Sequence, residues 1–146
     1  MDEPNIKTLN ELLKGEHMAI ESYESVLPSL KDQQLREDIN TILNDHKQHA
    51  MEISNRIIGL GGLPKEATGM VGIMSQTKLK AEGIFRNDRS IIKKLYDGED
   101  QGIAMVEKII QGDLDNSSMQ MVQKILSTDH DHLKKLQEII HSNDDH

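Results

Sequence analysis

The chain has 146 residues, a formal charge of −8 and no cysteine, which excludes a disulfide framework and a thiolate metal site. The acidic balance argues against a nucleic-acid partner, which needs a basic face, and favours attraction of cations. No apolar run approaches the length that spans a membrane. Aromatic residues are confined to Tyr23, Phe85 and Tyr96, while Leu, Ile, Met, Lys and Glu dominate, so helix is favoured over sheet. The start of the chain, Met1 to Asn5, is acidic and has no signal-peptide shape, so cytoplasm is the expected location.

Caps and periodicity predict four helices in one domain. The first runs from Asn5 or Thr8 to near Leu27, where Pro28 ends it. Its stripe is Ile6, Leu9, Leu13, Glu16, Ile20, Tyr23 and Leu27. The second is capped by Asp32 and stops at Gly61-Gly62, with the stripe Leu35, Ile39, Ile42, His46, His49, Ile53, Ile57 and Leu60. Residues 61–87 hold five of the ten glycines, Pro64, and two methionines, Met70 and Met74, that suit core filling. This stretch is long enough to run back along a helical hairpin; a mobile lid or a dimer contact is the other use for it. The third helix begins at Asp88 or Ser90 and ends at Gly112, with the stripe Ile92, Leu95, Glu99, Ile103, Val106 and Ile110. The fourth is capped by Asp115 and fades after His141, with the stripe Ser118, Val122, Ile125, Asp129, His132, Leu136 and Ile139. Hairpins over 5–60 and 88–141 joined by one crossover make an all-α four-helix bundle.

The two hairpins are copies of one pattern. A shift of 83 positions carries Gly15-Glu16 onto Gly98-Glu99, Glu24 onto Glu107, Asp32 onto Asp115, Ile42-Leu43 onto Ile125-Leu126, His46 onto Asp129 and His49 onto His132. Glu16, His46, His49, Glu99, Asp129 and His132 interrupt the apolar stripes on the inward side. Counting from the turns near residues 30–31 and 114 puts Glu16 opposite 45–46 and Glu99 opposite 129. The six then share one layer, and each i, i+3 pair can grip one centre. Left unpaired there, each would cost roughly a few kcal/mol against a total stability of about 5–15 kcal/mol. A divalent cation coordinated by the six offsets that cost; a polar layer of His–carboxylate pairs with water is the plainer alternative.

Other polar residues are weighed by height. Asp45 and His17 face each other across the first hairpin and can hydrogen-bond. Asp45 can also orient a ligand or serve as an extra carboxylate, and a surface ion pair is the alternative for both. Glu24 and Glu107 read as solvated flanks or a cation path. Tyr96, one turn before Glu99, reaches a ligand or packs with its hydroxyl outward. His130, His141 and His146 read as exposed bystanders.

These motifs resemble the ferritin-like superfamily, which takes one Glu from each of two helices and a Glu-x-x-His pair from each of the others. Glu16 and Glu99 stand where the lone glutamates do, Asp129-x-x-His132 matches one pair with a shortened acid, and His49-Ala50 matches the His-Ala that often closes the other. The resemblance spans all four helices. It looks closest to small stand-alone bacterial di-iron carboxylate proteins, rubrerythrin-type bundles without the rubredoxin-like domain. One departure is His46, where the family has a bridging Glu; three carboxylates offer less charge to two ferric ions than four.

The resemblance implies two iron ions as cofactor, with zinc or manganese also suited to the donors, and dioxygen or peroxide as oxidant. It implies ferroxidase- or peroxidase-like chemistry in iron handling or oxidative-stress defence. The lack of cysteine sets the chain apart from rubrerythrins with their cysteine-ligated iron, and acidic ends set it apart from DNA-protecting cages. A monomer or homodimer is expected rather than a cage. The alternative function is a non-catalytic helical scaffold with a structural or vestigial metal.

Overall fold

The computed structural model describes residues 3–66 and 87–144. Helix α1 covers Glu3–Val26, α2 Gln33–Gly59, α3 Asp88–Ile109 and α4 Asn116–Asp144. A 3₁₀ turn, Leu27–Ser29, with Pro28 in its first positions, separates α1 from α2. No strand occurs among the described residues. Met70 and Met74, most of the expected crossover, and His146 lie outside them.

Local chemistry sets the ends. Pro4 sits in the first turn of α1, where its missing N–H is not needed, so the helix starts earlier than Asn5. Asp32 accepts from the Leu35 N–H at 2.9 Å, Asn87 from Ser90 at 2.8 Å and Asp115 from Ser118 at 2.7 Å. After α2, Gly61 turns left-handed at φ 87°, with the Gly62 N–H reaching the Ile57 carbonyl and Gly61 reaching Ile58. That pattern closes the helix C-terminus and suits glycine. α4 meets no Gly or Pro after Asp115 and continues past His141.

α1 packs on α2 and α3, and α4 packs on α3 and α2. Three polar ties fix the directions. The Asp88 carboxylate accepts from the Lys31 and Asp32 N–H groups at 2.8 and 2.9 Å, so α2 and α3 start at the same end. The Asn5 side-chain oxygen accepts from the Asp115 N–H at 3.4 Å, which puts the start of α1 beside the α3–α4 turn. Arg56 donates to Asp115 at 2.6 Å and to the buried Ser118 at 3.0 Å, pairing the end of α2 with the start of α4. Helices α2 and α3 are therefore parallel and both hairpins antiparallel, the one-crossover arrangement. The sequence repeat reappears as pseudo-twofold chemistry: Asn5 and Asp88 are repeat mates, and each receives the N–H of a repeat-related capping aspartate.

The apolar core is in two parts. Tyr23, Val26, Leu30, Ile39, Ile92 and Leu136 are among the residues that fill one end. Leu9, Leu13, Ala50, Ile53, Ile57 and Val122 fill the other. Gly62 seals the second part, because a Cβ there would lie 2.8 Å from Ile6 Cγ2 and 3.0 Å from Ile57 Cγ2. Gly62→Ala is expected to cost about 1–3 kcal/mol through overpacking. Gly59→Ala, with nothing within 4 Å of the new carbon, should stabilise by roughly 0.5 kcal/mol. Urea unfolding of the two variants checks the contrast.

Candidate metal centre

Between the two apolar clusters lies the layer of Glu16, His46, His49, Glu99, Asp129 and His132, with every helix contributing. None of the six is more than 6% exposed, so water does not solvate them. They sit on the inward stripes because each is three or four residues from the next core position in its helix.

Hydrogen bonds run through most of the layer as a chain. His46 Nδ1 lies 2.7 Å from Glu16 Oε2 and its Nε2 lies 3.0 Å from Glu99 Oε1. His132 Nδ1 lies 2.9 Å from the same Glu99 oxygen, and its Nε2 lies 2.8 Å from Asp45 Oδ2. Both rings face carboxylates through both nitrogens, so in this arrangement each donates twice and is an imidazolium. Burial works against charge on His46, but the bonds from Glu16 and Glu99 outweigh it and hold the ring up at about 11. Burial likewise opposes charge on His132, and Asp129, Glu99 and Asp45 carry it to about 10. Burial pushes the Glu99 carboxyl up, yet His132 and His46 bring it down to about 2. Glu16 is held below its ordinary value, since His46 and His49 overcome the effect of burial. Asp129 goes the other way: burial raises it, and the charges of Glu16 and Glu99 add to that against His132 and His46.

Two atoms stand outside the chain. His49 Nδ1 and Asp129 Oδ1 are buried and have no hydrogen-bond partner. They are 3.7 Å apart, and His49 Nδ1 is 3.5 Å from Glu16 Oε1. An orphaned nitrogen beside orphaned carboxylate oxygen is costly in a dry interior. It is the donor arrangement that a divalent cation satisfies, and carboxylate with imidazole suits iron, manganese or zinc. One donor atom from each of Glu16, His46, His49 and Asp129 lies within 4.8 Å of the others, and the same holds for His46, Glu99, Asp129 and His132.

Asp45 and Tyr23 complete the surroundings. The Asp45–His17 bond that their shared height allows does not form. Asp45 bonds His132 instead, and His17 Nε2 lies 3.2 Å from the Lys65 carbonyl oxygen. Asp45 is 44% exposed in its side chain, so it links the layer to solvent. The Tyr23 hydroxyl donates to Glu99 Oε1 at 3.2 Å and its ring stacks on His46 at 5.4 Å. Burial, then the Glu99 charge, raises the phenol well above 10, so it stays protonated. Tyr23 shares the apolar stripe of α1, and its place two turns after Glu16 is the one sequence signal that its hydroxyl reaches the layer. Tyr96 is half-buried against the apolar cluster and not in the layer. Glu24 pairs with Lys47 at 3.9 Å in solvent, while Glu107, His130 and His141 are exposed.

A one-crossover bundle with carboxylates and imidazoles from all four helices at mid-height defines a ferritin-like bundle. The comparison with solved structures agrees. The chain is similar to a protein from Bacillus anthracis str. Ames described as "ferritin like, diiron-carboxylate proteins", with a TM-score of 0.69, 20% identity, and coverage of 94% of this chain and 96% of that one. The chain belongs to the DUF2383 family, a domain of unknown function whose model matches residues 5–112. No curated protein matches the chain. No described helix is long and apolar enough to cross a membrane.

Proposed function

We propose that the layer is a metal centre, that iron is its cation, and that the protein handles iron or reduces dioxygen or peroxide. The observation that carries this reading is the pair of buried, unpartnered donors, His49 Nδ1 and Asp129 Oδ1, in a layer of ligand-type side chains. The likeness to a protein described as a diiron-carboxylate protein supports iron over other cations. The layer offers it oxygen donors on Glu16, Glu99 and Asp129 and nitrogen donors on His46, His49 and His132. Bound iron would supply an electron donor and a Lewis acid toward dioxygen or peroxide.

The chain's own groups prepare that chemistry. The apolar clusters on either side keep water from the layer and strengthen charge interactions inside it. Asp45 accepts from His132 Nε2, which fixes the ring and directs Nδ1 to Glu99. Asp45→Asn should therefore lower the stability of the chelator-treated protein by about 1 kcal/mol with little change in the helical signal; urea unfolding measures it.

Activity is tested by adding Fe(II) under air to chelator-stripped protein. Oxidation should outpace the buffer rate and fall to it in Asp129→Asn. One observation favours a second reading, a structural scaffold: Glu16, His46, Glu99, His132 and Asp45 are already linked by hydrogen bonds without a cation. Stoichiometric zinc with no iron oxidation would support that reading and defeat the first.

A further inference from the structure

The layer divides into two unlike halves. In one, the polar atoms already satisfy each other. Glu99 Oε1 receives His46 Nε2, His132 Nδ1 and the Tyr23 hydroxyl, at 3.0, 2.9 and 3.2 Å. An oxygen with three donors has no lone pair left to offer. In the other half, the donors converge without bonding. Glu16 Oε1 is 3.5 Å from His49 Nδ1, which is 3.7 Å from Asp129 Oδ1; that oxygen also lies 3.5 Å from His132 Nδ1, so Asp129 borders both halves. Ligands about 2.0–2.2 Å from a tetrahedral cation sit roughly 3.3–3.6 Å from one another. The spacing in the second half is within about 0.1 Å of a coordination shell's, and the spacing in the first is that of hydrogen bonds.

His46 separates the halves. Its ring lies between the two lone glutamates, with one nitrogen on each. Its repeat mate is Asp129, a carboxylate, so the pseudo-twofold pattern is broken at this pair. A carboxylate has two oxygens on one carbon and can bridge neighbouring cations. An imidazole has one lone pair per nitrogen, and the two point to opposite sides of the ring. Two more repeat breaks fall on the half that holds Glu99: Tyr23 is the mate of Val106, and Asp45 is the mate of Thr128.

We infer that the centre holds one cation per chain, on Glu16, His49 and Asp129 with a position left open, while the His46 ring takes the place of a second. This rests on the metal-centre reading above and departs from the pair of ions that the resemblance implies. Three protein ligands and an open position is the pattern of a reactive rather than a closed structural site.

The test is a titration of chelator-stripped protein with Mn(II). The count of ions per chain after desalting and the low-temperature electron paramagnetic resonance spectrum are both read. The wild type should bind one ion and give the six-line spectrum of an isolated Mn(II). His46→Glu should bind two and give the broadened spectrum of a coupled pair. His49→Ala should weaken binding at least about 100-fold, the upper end of what outer-shell changes produce, and Glu99→Gln by less than about tenfold. Two coupled ions in the wild type would overturn the inference while leaving the metal-centre reading intact. Loss of the ion in Glu99→Gln but not in His49→Ala would overturn its placement. A single ion in folded His46→Glu would overturn the role given to His46. No binding at all would overturn both readings. The wild-type count and spectrum decide the matter even where a variant fails to fold.

Discussion

Glu99→Ala is expected to destabilise the metal-free protein by about 3–5 kcal/mol, the cost of removing one partner from a buried ion pair. One oxygen of Glu99 is the acceptor for His46, His132 and Tyr23. Without it, two imidazoliums whose rings are 5.0 Å apart lose the charge between them. One or both must shed a proton, and the Tyr23 hydroxyl is left buried without an acceptor. At roughly 2–4 °C per kcal/mol for a chain of this size, the melting temperature should fall by about 10 °C or more. Glu99→Gln keeps an oxygen in place and should cost less. Urea unfolding in the presence of chelator measures both, and a loss below about 1 kcal/mol, the worth of an ordinary hydrogen bond, would show that Glu99 does not organise the layer.

The second large effect is an opposite response to pH with and without a cation. His46 and His132 are raised from 6.5 to about 11 and about 10 in the folded protein. Their contribution is full below pH 6.5 and is lost as pH rises toward those values. Glu99 is lowered from 4.5 to about 2, so its contribution is full above 4.5 and is lost as pH falls through that range. Asp129, being raised, opposes this by disfavouring its own ionisation. The metal-free protein should therefore be most stable near pH 5–6 and weaken steadily above pH 6.5. A cation binds deprotonated imidazole and releases protons, so its affinity rises with pH. A cation at 1,000 times its dissociation constant adds about 4 kcal/mol, and at a fixed cation concentration that margin grows as the dissociation constant falls with pH. Melting curves from pH 5 to 9 with chelator and with excess Zn(II) or Mn(II) check this. The gap between the two curves should widen toward pH 9, and parallel curves would contradict cation binding through imidazole.

Much of the bundle was legible because helical periodicity and capping are local. Every stripe residue assigned to the fourth helix, from Ser118 to Ile139, is buried. Asp32 and Asp115 cap as their side chains dictate. The six layer residues were legible for a related reason: a charged residue at an inward stripe position has few other uses. What escaped depends on distance between helices. Leu12 and Val26 are buried although they lie off the first stripe, since α1 packs on both α2 and α3 and so buries a wider arc. Asp45 stands at the same height as His17, but only the packing of α2 on α4 puts His132 within its reach. Tyr23 was counted as apolar, because a stripe position does not reveal where a hydroxyl ends. Its hydrogen bond to Glu99 spans two hairpins.

The measurement closest to the central claim is anomalous diffraction at the iron edge from crystals grown anaerobically with Fe(II). The account predicts a peak inside the bundle, between the two apolar clusters, in contact with Glu16, His49 and Asp129. Iron found only at surface carboxylates, with the hydrogen-bonded chain from Glu16 to Asp45 unchanged, would contradict it.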